Sequence, residues 1–118
     1  MEVGIDIVSL ERIEVLYSRY GVRFLEKILL PEEVALCLQK PQIVASVAGR
    51  FAAKEAIVKA LGSGFAQGVH WKSFAILNDA AGRPYVKVID DECLPPSSVV
   101  KLSISHDRHS AVAVAIIE

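Results

Sequence analysis

The sequence has few of the features that mark exported, membrane-embedded or nucleic-acid-binding chains. Two cysteines, Cys37 and Cys93, stand among 118 residues. Two cannot build a disulfide framework, and their separation is no metal-ligand spacing. No segment approaches the roughly 20 consecutive apolar residues that cross a bilayer. The opening stretch "MEVGIDIVSLERIE" carries acids early and no long apolar run, so it does not read as a signal peptide. These absences predict a soluble, cytoplasmic protein. Net charge is only −1, which gives no overall electrostatic support for nucleic-acid binding. There is no repeat and no low-complexity tract. A GxxxxGK[ST] loop is absent, which excludes a P-loop nucleotide site, and "GSGFAQG" is only a weak phosphate-loop signal because it does not open a helix after a strand.

What is present suits one compact unit. Hydrophobic residues make up 53% of the chain and charged residues 23%. That is enough for a real core, in a length typical of a single domain over 1–118. "EVGIDIV" alternates Val3, Ile5 and Ile7 against Gly4 and Asp6, the period of a strand. Ser9 fits a helix N-cap. "LERIEVLYSRY" follows at helical spacing, and Gly21 ends it. "FLEKILL" reads as a short helical turn. Pro31 suits the first position of another helix, with Glu32 and Glu33 toward its positive end. A long helix covers Gln42 to Leu61, punctuated by Gly62 and Gly64. "SFAIL" and "PYVKVI" form strands joined by "NDAAGR". After Pro95-Pro96, "VVKLSIS" and "SAVAVAII" alternate, and His106 to His109 form the tip of a tight hairpin. A strand, three helical pieces with that short turn between them, and then four strands predict an α+β fold, a mainly antiparallel sheet packed on a long helix.

Three places draw attention chemically. Asp6 lies in a strand among apolar neighbours, a costly position unless it is paired or binds a cation. It reads either as a carboxylate at a wet edge or as a metal ligand. Glu55 and Lys59 are four apart on the long helix, beside Ala48 and Ala52. They form either a plain helix salt bridge or a phosphate site in which the carboxylate holds Mg²⁺ and the ammonium neutralises phosphate oxygens. The tip "SHDRH" is either solvated or an anion clamp. Asp6 and Glu55 are hard oxygen donors, which suit Mg²⁺ rather than zinc. The long helix poses a separate question. At about 100° per residue its charges fall among apolar residues on every side, and a helix apolar all round is normally buried.

Together "GIDIVSLERI", "GRFAAKEAIVKALGSG", "AGRPYV" and "SISHDRHSAVAVA" resemble, in order and over nearly the whole chain, the signature regions of holo-acyl-carrier-protein synthases, which are 4′-phosphopantetheinyl transferases. The resemblance implies transfer of the phosphopantetheine arm of coenzyme A to a serine of an acyl carrier protein, with release of adenosine 3′,5′-bisphosphate. It implies Asp6 and Glu55 as Mg²⁺ ligands and, with Lys59, as the catalytic set. Lys59 and His106 match residues on the pyrophosphate. Arg50 and Lys54 fall in the same motif and are expected at the nucleotide end. Arg12 matches an arginine that meets the acidic carrier. Leu16 and Arg19 share its helix side and extend that expected docking surface. The serine proton is expected to go to Glu55 itself or to a water on the metal. Val8 stands where larger relatives carry a third acidic ligand. Short members of the family are homotrimers with a site at each interface. This leads to the expectation that subunits pack around the long helix and that its charges face a cleft at their boundary.

Overall fold

The computed structural model describes residues 1–62 and 71–118. Gly64 and most of "GSGFAQG" lie outside the described residues. The elements run in the order β1 (Glu2–Ser9), α1 (Leu10–Tyr20), α2 (Val22–Ile28), α3 (Pro31–Leu38), α4 (Ile43–Leu61), β2 (Phe74–Asn78), β3 (Pro84–Val88), β4 (Val100–His106) and β5 (Ser110–Ile117). The α+β fold is as expected, and every described strand pair is antiparallel. The strands form two sheets, a larger one in the order β1-β5-β4 and the β2-β3 hairpin.

Local chemistry accounts for most boundaries. The Ser9 hydroxyl accepts from the Arg12 N–H and starts α1. Gly21, at φ +60°, ends it with its N–H on the Tyr17 carbonyl. The expected short turn is a seven-residue helix, α2, beginning at Val22. The β4–β5 connection is tighter than expected. His106 still pairs with Ala111, which leaves Asp107 to His109 as the tip. Cys37 and Cys93 are both free thiols.

One face of the larger sheet packs on α4. Its inward positions are small, with Gly4, Ala111, Ala113 and Ala115 all buried. On α4, Ala48, Ala52, Ala56 and Ala60 form a buried row at i,i+4 spacing. Small residues on both sides let helix and strand backbones approach. A Cβ at Gly4 would overlap the Ala56 carbonyl oxygen and sit 2.6 Å from Ala60 N. The side of α4 away from that row is covered by α1, α3 and β2. The helix is therefore buried by its own chain, which corrects the expectation that neighbouring subunits bury it.

The β2-β3 hairpin is fixed to the helices through the Ile76 peptide. Its N–H donates to Glu33 Oε2 at 2.9 Å, and its carbonyl accepts from Arg50 Nε at 3.0 Å. Glu33 was expected to act only on the dipole of its own helix. It is instead fully buried. Its other oxygen, Oε1, accepts from the Leu30 N–H and from Lys54.

Candidate active site

The site begins at the crossing of β1 and α4. Gly4 lets the helix approach, and Asp6, two residues on, projects from the same face of β1. The Asp6 carboxylate is largely covered, and Lys59 Nζ donates to its Oδ1 at 2.9 Å. Glu55, one helical turn before Lys59, is half-buried. Burial raises its pKa above the ordinary glutamate value and the Asp6 charge raises it further, while Lys59 and Arg12 pull the other way. Strand β1, helix α1 and helix α4 thus bring two carboxylates and two cations into one field.

Two hard carboxylates at one place suit Mg²⁺, which keeps waters and takes phosphate oxygens in its remaining positions. The residues fit this ion on a structural observation. Burial and a neighbouring carboxylate both disfavour the charge on Glu55, and a divalent cation between the two acids would offset both. Among the described residues no three His, Cys, Asp or Glu side chains gather at one point. Val8 is buried in the core.

His106 and Arg50 lie elsewhere. They line a cleft of about 430 Å³ with Lys40, Gln42, Ser46 and Asn78, floored by Gly49 and Ile104. Asp6, Glu55 and Lys59 do not line it. His106 ends β4, at the opposite edge of the sheet from β1. The tip beside it is held by Asp107, whose Oδ1 accepts from the His109 and Ser110 N–H groups at 2.8 Å each. Those two bonds hold the Asp107 carboxyl below its usual pKa. Arg50 is nearly buried, with bonds to Ser46, Ile76 and Asn78.

Lys54 was expected at the nucleotide end, and the structure places it in the interior. It is 1% exposed. Its ammonium lies 2.8 Å from Glu33 Oε1 and 2.9 Å from the Ile28 carbonyl, and it also donates to the Trp71 carbonyl. Three acceptors use all three N–H donors, so none is left for a ligand.

On α1, Arg12 and Arg19 are exposed, and Leu16 is partly covered. Leu16 and Arg19 line a groove with Tyr20, Arg23, Phe24 and Lys27, while Arg12 sits at the acid end, within the field of Glu55. Arg23 and Lys27 of α2 extend the basic surface. Sequence reading passed over them because α2 looked like a mere turn. The signal was there in Arg23 and Lys27, four residues apart within α2. Ser46 and Asn78, which hold Arg50, carried no comparable signal.

Comparison with known proteins gives a consistent result. The family model described as the 4′-phosphopantetheinyl transferase superfamily matches residues 2–116. The chain is 64% identical to a holo-[acyl-carrier-protein] synthase of Pelodictyon phaeoclathratiforme over 118 residues, all of this chain and 98% of the relative. It is 53% identical to the corresponding synthase of Chlorobaculum tepidum, with the same coverage. Among solved structures it resembles Helicobacter pylori holo-[acyl-carrier-protein] synthase in complex with coenzyme A, at 35% identity and a TM-score of 0.86, over 98% of this chain and 99% of that one.

Proposed function

The chain belongs to the 4′-phosphopantetheinyl transferase superfamily, and from that premise we propose that it moves the phosphopantetheine arm of coenzyme A to a serine hydroxyl of an acyl carrier protein, with Mg²⁺, releasing adenosine 3′,5′-bisphosphate. The observation that carries this reading is the pairing of Asp6 and Glu55 beside Lys59 at the β1–α4 crossing. A carboxylate pair beside an exposed ammonium is an arrangement for a diphosphate and its cation.

Asp6 and Glu55 would hold Mg²⁺, which when bound supplies positive charge to the pyrophosphate oxygens. Lys59 is 55% exposed. Its ammonium can leave Asp6 for the leaving group and neutralise charge there. The serine oxygen forms a bond to the β-phosphorus while the bridging P–O bond to the bisphosphate breaks. The serine proton goes either to the Glu55 carboxylate or to a water beside it. Arg50 and Lys40, with His106 as a hydrogen-bonding neighbour, line a cleft suited to the phosphates of the nucleotide end.

The acid pair and the His106 cleft occupy opposite edges of one sheet. This supports a site completed between two copies, each giving one half. The outward face of β1 supports the same reading. Val3, Ile5 and Ile7 are each more than half exposed, and apolar rows of this kind mark contact surfaces. We assign that face to a homotrimer. On α1 and α2, Arg12, Arg19, Arg23 and Lys27 around Leu16 and Phe24 offer cations flanking an apolar contact. Such a surface fits an acidic carrier protein.

Adenosine 3′,5′-bisphosphate should appear in step with carrier modification when the protein, coenzyme A and an apo carrier are mixed with Mg²⁺. It should not appear when the metal is chelated. Release without a carrier, or release unaffected by chelation, would contradict the reading.

A further inference from the structure

The reaction leaves Lys54 and Glu33 without a role, although theirs is the only ion pair buried on both sides among the described residues. Resting on the proposed transferase reading, we propose that the Lys54–Glu33 pair is a positioning device. It fixes the rotation of α4 about its own axis, and so aims Glu55 and Lys59 at Asp6.

The need for such a device follows from the packing. The face of α4 on the sheet is a row of alanines lying on Gly4 and further alanines. A seam of small side chains permits close approach, but it has few ridges to lock into grooves. Rotation is therefore weakly specified from that side. Glu55 projects about 6 Å from the helix axis, so a rotation of about 10° displaces its carboxylate by about 1 Å. A 1 Å displacement of a reacting group can cost on the order of 100-fold in rate.

Lys54 opposes that rotation. It neighbours Glu55 in sequence, so any turn of the helix that moves one moves the other. Its ammonium is held by three acceptors on three separate segments: the end of α2 at Ile28, Glu33 of α3, and Trp71 just before β2. Glu33 in turn is held by the Leu30 and Ile76 N–H groups, so the anchor is itself rigid. A charge at this place brings directional bonds that an apolar residue could not. Specifying one arrangement is the best-attested use of a buried polar group, and stability is not.

The test is the charge-free pair Lys54→Met/Glu33→Gln, which strands neither partner as an unpaired buried ion. If the double variant does not fold, Glu33→Asp, which keeps the charge opposite Lys54 but shortens its reach, gives the same comparison. Circular dichroism establishes folding. Wild-type protein is assayed alongside, and failure of the wild type to modify a carrier would sink the transferase reading itself. With an active wild type, kcat should fall about ten-fold or more while KM for coenzyme A moves little. Mn²⁺ affinity, read by electron paramagnetic resonance on the protein alone, should weaken several-fold. Adding Glu55→Gln should then cost much less than it costs the wild type, because Glu55 is already misaimed. A folded variant with wild-type kcat and Mn²⁺ affinity would overturn the inference. So would a Glu55→Gln effect of full size in the variant, since that would make the pair merely structural.

Discussion

Gly4 of β1 and Ala56 of α4 touch backbone to backbone, with no room for even a methyl group between them. This contact sets the depth at which the helix crosses the strand, and with it the 2.9 Å approach of Lys59 to Asp6. Gly4→Ala should therefore push the strand and helix apart. The expected loss is about 1–3 kcal/mol of stability from overpacking, toward the upper end because the clash is with backbone, and transfer activity should fall with it. Thermal melting and carrier assays on the same preparation check this.

Glu55→Gln keeps the size of the side chain and removes a metal-binding charge. The variant should fold and lose most of its activity. Asp6→Asn should behave alike, and the two losses should be strongly non-additive because both acids serve one ion. Wild-type turnover by Glu55→Gln at limiting Mg²⁺ would remove Glu55 from the ligand set.

The raised pKa of Glu55 fixes the sign of a pH effect. Its folded-state pKa lies above the unfolded value, so the folded protein holds this proton more tightly. The contribution is fully present below the ordinary glutamate pKa and is lost as pH rises through the folded value. Without divalent cation at neutral pH, Glu55→Gln should therefore melt higher than wild type, and the difference should shrink toward acid. Mg²⁺ should raise the wild-type melting temperature more than that of the variant. Melting curves across pH, with and without Mg²⁺, read both effects.

The ends of the elements were legible in the sequence where a single residue sets them. Ser9 caps α1, Gly21 stops it, and the alternation of "SAVAVAII" gives β5 to the residue. What stayed hidden depends on distant partners. Glu33 looks like an ordinary first-turn acid, and nothing local reveals that Lys54, 21 positions away, will neutralise it. For the same reason Lys54 read as a ligand-facing cation, and the burial of α4 was credited to other subunits. Asp6, Glu55 and Lys59 were singled out because a carboxylate inside a strand and an acid–base pair beside alanines are each locally anomalous. The long-range fact that unites them, the β1–α4 crossing, leaves only Gly4 as its trace.

Arg12→Glu should raise the KM for the carrier far more than the KM for coenzyme A. The wild-type carrier reaction should weaken with salt, since exposed charges are screened over about 8–10 Å near physiological ionic strength. Steady-state kinetics at two salt concentrations settle this. If both constants stay unchanged, or only that for coenzyme A rises, α1 is not the docking surface.

Ile5 lies in the centre of the exposed β1 row. If this row packs the proposed homotrimer, Ile5→Glu should break it into monomers and abolish transfer, because each half-site would lose its complement. Sedimentation of the wild type as a stable, active monomer at micromolar concentration would move the whole site into one chain.

The central claim is tested most directly by weighing the carrier. Apo acyl carrier protein is incubated with coenzyme A, Mg²⁺ and either wild-type protein or Glu55→Gln, and its intact mass is measured. The wild type should add the mass of one phosphopantetheine group, and the variant should leave most of the carrier unmodified. A carrier unchanged by the wild type, or modified equally by both, would contradict the account.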